Sequence, residues 1–265
     1  MLRRNNMIFT VRIYVYATCF VLGSLFYLQK AKRAQQRMDG QQADSFIFYT
    51  PKTVSRKVIR KTGTDVLVSG QEHLPDGAVL FVANHQGLFD ILALLGYLGK
   101  PTGFIAKQEI KKLPIIRTWM ELIHCVFIDR SDRRQSVRAI HQGIQNLKDG
   151  HSLVIFPEGT RSTDGQLNRF KPGSFRLGTR AKVPIVPIAI DGTWQLYEKN
   201  NRRVKASTIH LVISEAIEPE EYEQMTSREL ASHVQQIIEK QLKRTRRLQN
   251  KEDTDQPLKL EQNIG

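Results

Sequence analysis

Seven short runs rich in Val, Ile, Leu and Phe recur at 65–68, 78–82, 103–106, 125–128, 152–156, 185–190 and 208–214, and most are almost continuously apolar. A strand with one face in water alternates apolar and polar residues, whereas a strand covered on both faces does not. The runs therefore call for a mostly parallel or mixed sheet flanked by helices, which is an α/β fold. Helical patterns fill the gaps. In 133–149, Val137, Ile140, Ile144 and Leu147 recur at helical spacing and Gly150 supplies the stop. In 227–247, Leu230, Val234, Ile237, Ile238 and Leu242 share one face. No internal repeat is present. Residues 63–248 read as one α/β domain, 249–265 as a polar mobile tail, and 1–62 as membrane-anchoring helices.

The N-terminal reading rests on residues 7–28, nearly all apolar or aromatic, with Arg12 the only charge. About 22 helical residues at about 1.5 Å each span about 33 Å, close to the hydrocarbon thickness of a bilayer. The run is long for a signal peptide, and no small-residue cleavage site follows it. Arg3 and Arg4 precede it, and Lys30, Lys32, Arg33 and Arg37 follow. The larger basic cluster points the following domain to the cytoplasmic face of the cell membrane. The charge at Arg12 and the two-sided basic flanks equally suit a helix embedded in one leaflet. Residues 46–61 mix Phe, Ile and Tyr with Lys and Arg, the pattern of a second helix at a membrane surface.

The formal net charge is +14, from 40 Lys and Arg against 26 Asp and Glu. It favours polyanions without choosing among nucleic acid, anionic lipid, a phosphorylated substrate or an acidic carrier. No aromatic-studded basic stripe or known reader motif accompanies it, so a nucleic-acid partner is not expected. Two cysteines, Cys19 and Cys125, form neither a disulfide framework nor a metal-ligand spacing, which fits a reducing setting.

Strand ends carry the chemistry in such folds. The run at 78–82 leads into Asn84-His85-Gln86-Gly87-Leu88-Phe89-Asp90. Residues five apart lie about 140° away from each other around a regular helix. A turn at Gly87 removes that constraint and lets Asp90 accept a hydrogen bond from one imidazole nitrogen of His85, leaving the other as a base. A loop-capping histidine and a helix-capping aspartate fit the same spacing. No Gly-x-Ser-x-Gly elbow offers a serine nucleophile. His124 and Cys125 are adjacent and would point to opposite faces of a strand. The second histidine of a zinc-binding His-Glu-x-x-His helix is missing. What remains for the base is the hydroxyl of a substrate.

Phe156-Pro157-Glu158-Gly159-Thr160-Arg161 follows the run at 152–156. Gly159 permits close approach of the backbone to a ligand, and Arg161 can grip a phosphate in a bidentate fork. Glu158 can hold a glycerol oxygen, or pair locally with Arg161. Arg130, after Val126-Phe127-Ile128-Asp129, and Lys107, after 103–106, are cations at further strand ends. Val183-Pro184-Ile185-Val186-Pro187 sets two prolines around a short strand, as a bend or a pocket wall.

At these residues the chain resembles the glycerolipid acyltransferases. His85 to Asp90 is similar to the family's first motif, Phe127-Ile128-Asp129-Arg130 to its second, Phe156 to Arg161 to its third and Val183 to Pro187 to its fourth, in order, within about 66–214. The resemblance implies an α/β acyltransferase in which His85 deprotonates the sn-2 hydroxyl of a lysophospholipid and Asp90 orients His85. It implies that Arg130, Glu158, Gly159, Thr160 and Arg161 bind the glycerol phosphate. Lys107 holds the phosphate or steadies an oxyanion. It also implies an acyl thioester as co-substrate, acyl-CoA or acyl carrier protein, with no metal and no bound cofactor. Length and the single domain suggest a bacterial member. Both donors are acidic and suit the positive charge. A related lysophospholipid acceptor is the alternative.

Overall fold

The computed structural model describes residues 2–162 and 165–255. Three helices come first: α1 (Leu2–Gly23), α2 (Leu25–Arg37) and α3 (Gly40–Lys61). Then follow β1 (Asp65–Ser69), β2 (Leu80–Ala83), α4 (Phe89–Tyr97), β3 (Gly103–Lys107), α5 (Pro114–Leu122), β4 (Val126–Ile128), α6 (Arg133–Lys148) and β5 (Leu153–Ile155). The chain continues through α7 (Arg176–Ala181), β6 (Ile185–Asp191), α8 (Thr193–Leu196), β7 (Thr208–Ile213), α9 (Pro219–Tyr222) and α10 (Ser227–Asp255).

All seven apolar runs are strands of one sheet, in the order β1-β7-β6-β2-β5-β3-β4. Every neighbouring pair is parallel except β6 with β7. The near-continuous hydrophobicity has the expected cause, since successive residues of β2 serve different layers. Phe81 and Ala83 pack with α3 and α4 through Phe48, Ile59, Ala93 and Leu94. Leu80 and Val82 pack on the other face with Leu177, Leu230, Val234 and Ile238. Parallel strands β6, β2, β5, β3 and β4 are contiguous, so their C-terminal ends share one edge of the sheet. The loops bearing His85, Glu158, Lys107 and Arg130 all leave from that edge.

Local signals account for the helix ends. Asp132 caps α6 by accepting hydrogen bonds from the N–H groups of Arg134 (2.8 Å) and Gln135 (3.0 Å). Gly150 follows its C-terminus with φ of 95°. The strand at Ile185 runs on through Pro187 to Asp191, further than the two prolines suggest. It does so because the Pro187 carbonyl still accepts the Ser214 N–H (3.0 Å), and the N–H that Pro187 lacks falls at the end of the ladder with β7, just before Ile188. Helix α10 extends to Asp255, beyond the boundary at 248 drawn from composition, and the end of the expected tail, 256–265, lies outside the described residues.

The N-terminal segment departs most from the sequence reading. Residues 7–28 do not form one straight helix; α1 and α2 meet at a 45° bend. The cause is Gly23-Ser24. The Ser24 hydroxyl donates to the Val21 carbonyl (2.6 Å) and accepts the indole N–H of buried Trp119 on α5 (2.8 Å). Among the described residues, no single helix is long and apolar enough to cross a membrane, while this bent pair passes on length and composition. Nor is α1 detached from the domain. Thr10 accepts the backbone N–H of Val204 (2.9 Å), and the hydroxyls of Tyr14 and Tyr197 are hydrogen bonded. Helix α3 gives Ile47, Phe48 and Ile59 to the main core, and Arg56 donates to the Gly96 carbonyl on α4 (2.6 Å). The opposite face of the pair is apolar and open, with Phe26 83% exposed beside Val11, Val15, Leu22 and Leu25.

Candidate active site

Strand β2 ends at Ala83, and Asn84 fastens the loop that follows. Its side-chain amide donates to the Ile190 carbonyl and accepts the Ile190 N–H, both at 2.8 Å, pinning the loop to the end of β6. Three residues later the chain turns at Gly87. A Cβ there would lie 2.2 Å from the carboxylate of Glu198, so no other residue fits without displacing it. The turn brings Asp90, in the first turn of α4, back under His85. His85 Nδ1 and Asp90 Oδ2 are 2.7 Å apart, and the aspartate is fully buried.

Asp90 is held by more than the imidazole. Its Oδ2 also accepts the N–H groups of Gln86 (2.7 Å) and Gly87 (2.8 Å), and its Oδ1 accepts the Thr193 hydroxyl. Facing a carboxylate that accepts from every other partner, His85 Nδ1 carries the proton, which leaves Nε2 with a lone pair. The ring is clamped from the side by Phe156, stacked at 4.2 Å between centroids and 19° between planes. Only 17% of the side chain is exposed, enough to meet a substrate without swinging into water.

The loop after β5 locks onto the same histidine. Glu158 is 3% exposed; its Oε1 accepts the backbone N–H of His85 (2.6 Å) and its Oε2 that of Asn168 (2.9 Å). Burial pushes this carboxyl above its usual range, and the two N–H donors pull against that. Where the sequence suggested a contact to a glycerol oxygen, the structure gives Glu158 two backbone N–H donors, from His85 and Asn168. With both oxygens turned to the backbone, it braces the His85 loop from below. It is not paired with Arg161 either. Arg161 reaches Glu198 instead, at 3.7 Å, while the Ser162 N–H donates to the His85 carbonyl (2.9 Å) and keeps this segment beside the imidazole.

The cationic residues gather unevenly. Gly159 has φ of 75°, and a Cβ on it would meet Lys171 Nζ at 2.5 Å and Arg130 Nη1 at 3.4 Å. Arg130 and Lys171 thus flank bare backbone at Gly159, a cradle for an anion. Arg130, Thr160, Arg161 and Lys171 are all exposed. Lys107 ends β3 in register with Ile128 of β4, exposed at the same edge.

Several contributors were not singled out from the sequence. Thr193 holds Asp90, and it arrives through Gly192, whose φ is 98° and where a Cβ would lie 2.0 Å from the Thr208 carbonyl oxygen. Asp191, at the end of β6, accepts the Gln86 amide (2.9 Å) and the Arg246 guanidinium from α10 (3.1 Å). The signal was available, because Asp191-Gly192-Thr193 is polar sequence closing an apolar strand run, as with His85 and Glu158. Lys171 and Glu198 had no local signal. Glu198 accepts the Leu88 N–H (2.9 Å) through Oε1, and its Oε2 is buried without a hydrogen-bond partner. Burial raises its carboxyl too.

The arrangement can remove a proton from a hydroxyl placed at His85 Nε2 while cations beside Gly159 hold an anionic group on the same molecule. The chain is similar to known proteins. Residues 65–191 match the family model described as Acyltransferase. A protein of Mycoplasma pneumoniae named "Probable 1-acyl-sn-glycerol-3-phosphate acyltransferase" is 34% identical over 204 residues, covering 70% of this chain and 77% of that protein. The 1-acyl-sn-glycerol-3-phosphate acyltransferase of Saccharomyces cerevisiae is 37% identical over 135 residues, 49% of this chain and 44% of its own. The crystal structure of the 1-acyl-sn-glycerophosphate (LPA) acyltransferase PlsC from Thermotoga maritima superimposes with a TM-score of 0.82 at 28% identity, covering 93% of this chain and 98% of that one.

Glu158→Gln tests the bracing. An amide must turn its NH2 group toward one of the two N–H donors, so it costs about 1–3 kcal/mol of stability. A denaturant titration measures this, and an unchanged midpoint and slope would show that the carboxylate braces nothing.

Proposed function

The chain belongs to the 1-acyl-sn-glycerol-3-phosphate acyltransferases, and from that membership we propose that it acylates the sn-2 hydroxyl of 1-acyl-glycerol-3-phosphate to give phosphatidic acid in phospholipid synthesis. The observation that carries the reading is the His85–Asp90 pair beside the cationic cradle at Gly159.

The reaction is direct transfer. The acceptor hydroxyl sits at His85 Nε2 with its phosphate between Arg130 and Lys171, and Arg161 contributes from the other side. Holding both reactants removes much of the entropic barrier. His85 takes the hydroxyl proton as the oxygen attacks the thioester carbonyl. The tetrahedral intermediate collapses with loss of the thiolate, which recovers the proton from His85. Asp90 stabilises the imidazolium formed in between and preserves its orientation. Thr160 and the backbone at Gly159 line the acceptor phosphate, and Lys107 lies at the outer rim for an anionic part of either substrate. The donor is an acyl thioester of CoA or acyl carrier protein, both acidic and both drawn by the charge of +14.

We further propose that α1 and α2 attach the protein to the cytoplasmic face of the cell membrane by lying in one leaflet. Supporting this, Thr10 and Tyr14 tie α1 to the domain, which leaves only the opposite, apolar face for lipid. Lys30, Lys57 and Lys61 stand over the rings of Tyr27, Phe20 and Tyr16, a mixture of cation and aromatic that suits the headgroup level.

Purified protein given labelled lysophosphatidic acid and either acyl-CoA or acyl carrier protein thioester forms phosphatidic acid. His85→Ala lowers kcat at least about a hundredfold with unchanged circular dichroism; near-normal turnover would remove the mechanism. Arg161→Ala raises KM for lysophosphatidic acid about tenfold, as loss of a charged hydrogen bond to phosphate should, and an unaltered KM and rate would remove it from the acceptor site. In flotation with anionic vesicles, a Val11→Glu and Phe26→Glu double variant stays in the soluble fraction while the unaltered chain floats. Equal flotation of both would refute the one-leaflet attachment.

A further inference from the structure

The edge of the sheet opposite His85 carries a second cluster of chemical groups. His124 lies two residues before β4 and His151 two before β5, both at the N-terminal ends of their strands. Between these two strands in the sheet lies β3. Its first residue, Gly103, lets them approach: a Cβ there would meet the Ile123 carbonyl oxygen at 2.5 Å and the His124 carbonyl at 2.9 Å. The backbone of His124 therefore crosses directly over the start of β3, and the two imidazoles stack at 3.4 Å between centroids and 11° between planes.

Both rings present a nitrogen to one carboxylate. His124 Nε2 is 2.9 Å from Asp44 Oδ1, and His151 Nδ1 is 2.7 Å from Asp44 Oδ2. Asp44 belongs to α3, so three distant segments converge with their potential ligand atoms all within 4.8 Å of one another. The side chains are 19–22% exposed, sheltered but within reach of solvent. His124 holds φ of 59°, a left-handed conformation that costs a residue other than Gly or Asn about 1–2 kcal/mol. The Asn146 amide donates to the His124 carbonyl (2.8 Å) and keeps it there. A cavity of about 220 Å³ opens beside the three side chains, with Gln41 and Ser45 on its wall. Lys100 shares that wall, its ammonium turned to the Pro75 carbonyl.

We propose that Asp44, His124 and His151 bind a divalent transition-metal ion of the zinc class, which clips α3 to the N-terminal edge of the sheet. Two imidazole nitrogens and one carboxylate oxygen are a zinc-type ligand set, and the open cavity supplies room for water as the fourth ligand. The three ligand atoms already lie within 4.8 Å of one another; a tetrahedral zinc sits in the plane of each imidazole, so binding splays the stacked rings apart while Asp44 stays between them. The ion takes no part in acyl transfer; it tightens the seam between the membrane-facing helices and the catalytic domain.

Tag-free full-length protein in detergent, stripped with chelator and desalted, is titrated with Zn2+ against a chromophoric chelator. One equivalent binds. His151→Ala and Asp44→Asn weaken binding at least about a hundredfold, while His141→Ala, an exposed histidine on α6, leaves it unchanged. Asn suits the left-handed backbone at position 124, so His124→Asn keeps the fold by circular dichroism and still loses zinc. Saturating zinc raises the thermal midpoint of the unaltered chain by about 5 °C and that of Asp44→Asn not at all. Absence of stoichiometric zinc, equal affinity in Asp44→Asn, or a midpoint that follows pH but ignores zinc would overturn the proposal. The last of these would leave a proton-linked ion pair as the whole of the cluster.

Discussion

The buried carboxylate of Asp90 is the constraint on which the catalytic edge depends. A fully buried carboxylate is tolerable only where hydrogen bonds replace its water, and four donors converge here: the His85 ring, two backbone N–H groups of its own loop and the Thr193 hydroxyl. Each donor that satisfies the charge also fixes a piece of the site. The two N–H groups shape the turn at Gly87, the threonine ties that turn to the end of β6, and the imidazole is left with one orientation. One desolvated group thus demands the whole local conformation.

A second ring of contacts supports this node from the neighbouring strands. Glu158 holds His85 from β5, Asn84 holds β6, and Asp191 joins Gln86 to Arg246 of α10. Because β2 is central, with β6 on one side and β5 on the other, both flanks supply braces over short distances. The cations sit further out, on the loops after β4 and β5, where they stay exposed. The division is physical: the groups that hold His85 and Asp90 are buried and paired, and Arg130 and Lys171 beside Gly159 lie exposed to solvent.

Much of the site was legible from residue order alone. Seven apolar runs became seven strands, and the polar sequence closing four of them, at His85, Lys107, Arg130 and Glu158, came to one edge because parallel strands align their ends. Gly87 and Gly159 were readable as places where the backbone must turn or come close to something. The role of Glu158 was not legible. A carboxylate beside an arginine in sequence reads as a ligand or a local pair, and only the position of the His85 N–H reveals a brace. Lys171 and Glu198 escaped notice because each acts across more than ten residues of intervening chain, with nothing in its own neighbourhood to mark it. The bend at Ser24 was hidden too, since one serine in an apolar run looks harmless until Trp119 is seen donating to it.

Periodicity and strand-end chemistry, both short-range properties of the chain, determined the α/β class, the strand count and the identity of the histidine, the aspartate and most of the cations. Which strand lies beside which is a long-range matter, settled by packing, and it alone decided that β5 and β6 flank β2 and that the N-terminal helices join the core. The same packing brought Asp44 to His124 and His151 across 80 and 107 residues of chain. Sequence spacing carries no information about such a meeting, because the free energy that creates it belongs to the sheet and the helices around it and not to the three residues themselves.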